Sequence, residues 1–226
     1  MARVDVLRVA EDLLKKRREV FSQIKTGQNL GNFLLNANLS IILFAAIYGA
    51  TMGVFPSEKV HIFYDVIKVP LLLLVTLYVS LPTYYVLDSF SGSEVSFKQM
   101  AAVLLSSFAI MSTVLLAFVP VSLFFILTTP DPTNFQTYAF IVLLNVGIFT
   151  VAGLAGIAYQ AAGMEIVHSN RRWVDGFLIG LLVQVFVGTQ LACVLRPYFD
   201  GGVFLRPLSG NFYISLFRLL ARFLGR

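Results

Sequence analysis

Five stretches of this chain stay apolar over the thickness of a bilayer, and that restricts its fold more than any other feature. A helix needs about 20 consecutive apolar residues to cross the hydrocarbon layer, and it satisfies its own backbone hydrogen bonds where no water can. The candidate spans are about 32–55, 67–88, 99–127, 138–164 and 173–195. At 58% hydrophobic and 13% charged residues, with a mean hydropathy of +0.81, the chain carries more apolar surface than one soluble core can hide. The expected fold is all-α: an integral membrane bundle of about five transmembrane helices with basic amphipathic helices at both termini.

Residues 3–26 read as one amphipathic helix, with Leu7, Ala10, Leu14, Phe21 and Ile24 at helical spacing and charges on the other faces. Glu11 with Lys15 and Asp12 with Lys16 are favourable pairs one turn apart, and Gly27 is a stop. Charge continuing through Lys15-Lys16-Arg17-Arg18 argues against a secretory signal. The helix is too charged to insert. It is expected on the lipid surface, on a partner, or docked on its own protein. A second basic amphipathic helix is expected at 211–225, where Arg218 and Arg222 accompany Leu216, Leu219, Leu220 and Phe223. The chain therefore divides into an N-terminal helix (1–27), a transmembrane bundle (28–198), and a loop with an interfacial helix (199–226).

Inside the spans, two kinds of residue stand out. Small residues form ladders that permit close helix approach: Ala45, Gly49 and Gly53 in the first span, Gly153 and Gly156 in the fourth, Gly176, Gly180 and Gly188 in the fifth. The fourth and fifth spans, joined by a short loop, are the expected tightly packed antiparallel pair. Polar residues are fewer. Asn29, Asn32, Asn36 and Ser40 share one helix face, and Gln160 and Gln184 stand alone. Such groups either bond across helices or line a wet path. Pro70 is expected in the first turn of the second span, Pro82 should kink or end it, and Pro120 should bend the third.

The positive-inside rule places the N-terminus, with Lys15, Lys16, Arg17 and Arg18, in the cytoplasm; Arg171 and Arg172 between the last two spans agree. Five spans then put the C-terminus across the membrane, where Arg196, Arg206, Arg218, Arg222 and Arg226 run against the rule. The net charge of +5 lies in tails and loops and is accounted for by lipid headgroups, so no nucleic-acid partner is expected.

No nucleophile elbow, zinc-protease helix or phosphate-binding loop is present. Glu165 and His168 have the spacing of a metal-binding pair, but the only other histidine is His61, so no metal or cofactor is expected. Asp88 and Glu165 are expected at span ends, in reach of water. The single Cys193 lies in an apolar helix and reads as a packing residue.

The run KVPLLLLVTLYVSLPTYYV (Lys68, Pro70, Pro82), Pro120, and GTQLACVLRPYF followed by FLRPLSGNFY (Gly188, Gln190, Arg196, Pro197, Arg206, Pro207, Asn211, Phe212) resemble a group of uncharacterised bacterial multispan membrane proteins. In layout, five spans after a cytoplasmic segment are similar to the Yip-type pentaspan family, although that family's D-L-Y-G-P motif is absent. The resemblance implies a non-enzymatic membrane organiser in a bacterial inner membrane. The expected function is accordingly a scaffold or accessory subunit whose partners are the bilayer and other membrane proteins, or itself as a homo-oligomer. A transporter or channel component passing a small solute through an oligomer is the alternative.

Overall fold

The computed structural model describes residues 6–55, 60–129, 134–168, 172–195 and 212–224. Among the described residues the chain is helical and contains no strand. The order is α1 (Val6–Lys15), α2 (Arg17–Thr26), α3 (Leu30–Met52), α4 (Val60–Phe90), α5 (Phe97–Ala117), α6 (Val119–Thr128), α7 (Phe135–Val167), α8 (Trp173–Leu195) and α9 (Phe212–Leu224). Five segments are long and apolar enough to cross a membrane: α3, α4 from Ile62 onward, α5 with α6, α7 and α8.

Several boundaries differ from the sequence expectation. The N-terminal helix is two helices, because Lys16 leaves helical geometry at φ −126° and ψ 35°. Gly27 then closes α2 in the left-handed conformation, φ 75°. Helix α4 starts at Val60 rather than near Ile67 and runs through Pro82 to Phe90. Prolines are tolerated within spans because neighbouring helices and side chains can re-satisfy the freed carbonyls. The third span breaks at Phe118, with Pro120 in the first turn of α6. Its start is fixed by a capping box, in which Gln99 Oε1 accepts from the Ser96 amide at 2.8 Å and Ser96 Oγ accepts from the Gln99 amide at 3.4 Å.

The spans pack in the order α8, α4, α3, α5, α7, each against the next. This is a ring left open between its two end helices. The expected pairing of the fourth and fifth spans is therefore wrong: α8 packs on α4, and α7 on α5. A short connection makes two helices antiparallel but does not oblige them to touch. What decides the pairing is which neighbour fills the glycine faces, and α4 does that for α8.

The N-terminal helices brace one end of this ring. Helix α1 lies on α3 and α5, and α2 on α5 and α7. Leu13, Phe21 and Ile24 are fully buried there and Ala10 is buried, so the bundle covers much of the segment's apolar side, whereas Leu7 and Leu14 of the expected stripe stay exposed, at 72% and 60%. The Phe21 ring lies where a Cβ on Gly163 would be, with ring atoms from 2.5 Å. Arg17 stacks 5.6 Å above the Tyr159 ring, Lys25 Nζ donates to the Ile166 carbonyl at 3.2 Å, and Gln99 Nε2 donates to the Lys25 carbonyl at 2.7 Å.

Candidate functional site

The small residues mark close approaches, and most of these hold the ring together. Gly49 of α3 faces the backbone of Asp65 in α4: an added Cβ would sit inside contact distance of the Asp65 carbonyl oxygen and 2.8 Å from its carbon. Ala45 is buried one turn earlier, and Gly53 caps the C-terminus of α3. On α8, added Cβ atoms at Gly176, Gly180 and Gly188 would meet Leu87 at 3.4 Å, Tyr84 at 2.5 Å and Thr76 at 3.3 Å, all on α4. Gly156 of α7 lies against α5, 3.1 Å from the Ser107 carbonyl oxygen by the same measure. Gly153 differs, because nothing stands within 4 Å of its Cβ position.

The polar stripe of α3 runs out of the ring rather than through it. Asn29 is exposed and left-handed (φ 53°), Asn32 is exposed, and Asn36 is half-buried with an unpartnered Oδ1. Ser40 is buried, and its hydroxyl lies 2.9 Å from the Asn36 carbonyl and 2.7 Å from the Val6 carbonyl of α1, which covers it. Gln160 is fully buried; Ser107 Oγ lies 3.5 Å from its Oε1, and its Nε2 has no partner.

Stronger polar ties lie elsewhere. Tyr48 of α3 donates to Asn145 Oδ1 of α7 at 2.7 Å, fully buried, and Asn145 Nδ2 donates to the Ile141 carbonyl at 2.8 Å. Tyr78 donates to Asn38 Oδ1 at 2.7 Å. Asn145, an amide inside an apolar run, was the sequence signal for the first tie. Asp65 and Lys68 are buried near the start of α4; the expected span boundary at 67 had left Asp65 in a loop.

Asp88 corrects another expectation. It is 2% exposed, not open to water, and its Oδ1 lies 2.7 Å from His168 Nε2 at the C-terminus of α7. His168 Nδ1 is 2.8 Å from the Met164 carbonyl oxygen, which can only accept, so Nδ1 carries a hydrogen. Two bare acceptors would repel at the Nε2 contact, so one proton is held between histidine and carboxylate. Glu165, by contrast, is exposed and does not converge with His168 on a metal position. Among the described residues no group of three metal-ligating side chains occurs.

The basic residues divide by environment. Lys15 pairs with Glu11 at 2.8 Å; the hydrogen bond and charge of each partner hold the Glu11 carboxyl below, and the Lys15 ammonium above, their ordinary ranges. Lys16, Arg18 and Arg172 are exposed, whereas Arg171 lies outside the described residues. Arg218 and Arg222 are exposed on α9.

The open side of the ring holds a cleft of about 410 Å³. Its walls come from α4, α5, α7 and α8 and are mainly apolar, including Leu73, Phe108, Phe149 and Ile157. Gly153 lies in its wall, and so does Gln184, whose Oε1 is buried and unpartnered. Counted from the end braced by α1 and α2, at 1.5 Å per residue, these walls lie roughly 15 to 30 Å deep. That is the middle of α4 and α7, whose 31 and 33 residues make them roughly 46 and 50 Å long, so the walls lie well inside the candidate spans. Helix α9 touches both α7 and α8, and its Leu216 closes part of the cleft. The volume falls in the range of small-molecule sites. No protein-family model, curated protein or solved structure matches the chain.

Proposed function

We propose that the protein is a non-enzymatic binding subunit of the membrane, a helical scaffold that holds a hydrophobic guest in the cleft between α7 and α8. The single observation that carries this reading is the open ring: five spans pack in series, and the gap between the last two is apolar, at membrane depth and of small-molecule size. The basic N-terminal segment supports placing the braced end in the cytoplasm. Leu13, Phe21 and Ile24 of that segment are covered by the bundle itself, which leaves Leu7 and Leu14 of the expected stripe open to lipid or a partner. A conducting path along α3 is disfavoured by α1, which covers Ser40.

The test is photocrosslinking in native membranes from a benzophenone side chain at Thr150, in the cleft wall, compared with one at Val151, the next residue, which is 49% exposed and is not part of the cleft wall. A small-molecule adduct enriched at Thr150 over Val151 is expected. Identical adduct profiles at the two positions would overturn the reading. An adduct of protein mass at Thr150 would replace the guest by a partner chain.

A further inference from the structure

The end of the cleft toward α9 carries a second chemistry. Helix α9 has thirteen residues, too short to span, and it presents two faces. Leu216, Leu219 and Leu220 are half-buried on the inner face, and Leu216 reaches the cleft. Tyr213 anchors the start of the helix, with its hydroxyl 3.2 Å from Thr189 Oγ1 on α8. Thr189 stands six residues before the end of α8 at Leu195, roughly 9 Å inside it. Helix α9 thus lies beside the half of the cleft nearer the far membrane surface. On its outer face Arg218 and Arg222, one turn apart, are exposed, and among the described residues neither has an acidic partner.

Building on the cleft as a guest site, we infer that the guest is an anionic phospholipid: one acyl chain fills the cleft, and its phosphate pairs with Arg218 and Arg222. Each half of the lipid meets its own chemistry. The acyl chain finds apolar walls at hydrocarbon depth, where burial costs it no hydration. The headgroup leaves past α9, where two guanidiniums offer planar donor forks that match phosphate oxygens. A neutral lipophile would use the cleft and leave the arginines idle. The same arrangement gives a reason for cationic residues on the side of the membrane where the positive-inside rule does not call for them: they serve a bound headgroup rather than topology.

The experiment uses the full-length purified protein in mild detergent, with lipid binding read by native mass spectrometry. The probes are phosphatidylglycerol and phosphatidylcholine with identical acyl chains. The wild-type protein is expected to bind phosphatidylglycerol roughly thirtyfold more tightly, the scale two interfacial cations give. The double variant R218Q/R222Q should lose that preference and keep its binding of phosphatidylcholine. Gly153→Phe, which projects a ring into the cleft from a position with nothing within 4 Å, should lose both lipids. Gly153→Leu, a smaller filler, guards against misfolding. Wild-type preference retained in R218Q/R222Q would overturn the headgroup assignment and leave the cleft reading standing. Wild-type binding of both lipids in well-folded Gly153→Phe and Gly153→Leu would overturn both. A neutral lipophile that copurifies and is displaced by neither probe would overturn the phospholipid alone.

Discussion

Gly49 and Gly153 offer the same chemical change with opposite expected signs. Replacing either by alanine removes backbone freedom from a helix, a gain of up to about 1 kcal/mol. At Gly153 nothing opposes the gain, because the Cβ position has no neighbour within 4 Å. At Gly49 the new methyl would overlap the Asp65 carbonyl group and stand 3.2 Å from the Val66 nitrogen. These are backbone atoms of α4 and cannot rotate away, so α3 and α4 must separate along their whole contact. Overpacking of this kind costs about 1 to 3 kcal/mol, and a rigid neighbour places it near the upper end. Gly49→Ala should therefore be about 2 kcal/mol less stable than wild type, and Gly153→Ala up to about 1 kcal/mol more stable. Gly147→Ala, on an exposed part of α7 with nothing within 4 Å, is the control for the gain alone. The assay is equilibrium unfolding in mixed micelles, followed by the fluorescence of Trp173, the chain's one tryptophan, which packs edge-on to Phe177 at 5.6 Å. A Gly49→Ala protein as stable as Gly147→Ala would refute the close approach of α3 and α4.

Two further perturbations test the ends of the bundle. His168→Ala leaves the Asp88 carboxyl buried with neither oxygen partnered and should cost about 3 to 5 kcal/mol, measured by loss of helical circular dichroism on unfolding. Replacing Asp88 and His168 together by leucine should recover most of that loss, and a double variant no better than the single would show that the pair is not the cause. The Glu11–Lys15 pair makes a pH prediction. The Glu11 contribution is present above its unfolded value near 4.5 and is lost as pH falls through the lowered folded value; the Lys15 contribution is present below 10.5 and is lost as pH rises through the raised one. Lys15→Met should move the Glu11 titration midpoint, followed by NMR, upward toward 4.5, and an unmoved midpoint would show that the pair does not form.

The five spans were legible because hydrocarbon demands a run of apolar residues whatever the tertiary contacts. Their pairing was not. A glycine face announces that something approaches without saying what, and the side chains that fill the face of α8 looked ordinary in the sequence. Tyr84 reads as an interfacial aromatic, Leu87 and Thr76 as span filler, yet they stand opposite Gly180, Gly176 and Gly188. The buried pair of Asp88 and His168 escaped for a related reason. Each residue alone sits at a span end, where water is the default partner, and only the arrangement of the bundle brings the ends of α4 and α7 together. The cleft was invisible because it is a consequence of which helices fail to meet. Of its residues, Gly153, Gly156 and Gly188 were singled out as packing glycines and Gln184 as a stray amide.

The seat of Phe21 on Gly163 constrains the order in which the molecule can be made. Synthesis produces α2 long before α7, and the groove that buries Phe21 is absent until the fourth span has entered the bilayer. During that interval the apolar side of α1 and α2 has nothing of its own protein to rest on. The lipid surface is the available shelter, and the exposed Lys16 and Arg18 suit a helix waiting there. The nascent chain thus offers the lipid surface more apolar area than the finished protein, in which Phe21 has gone into an internal contact while Leu7, Leu14, Lys16 and Arg18 stay outside.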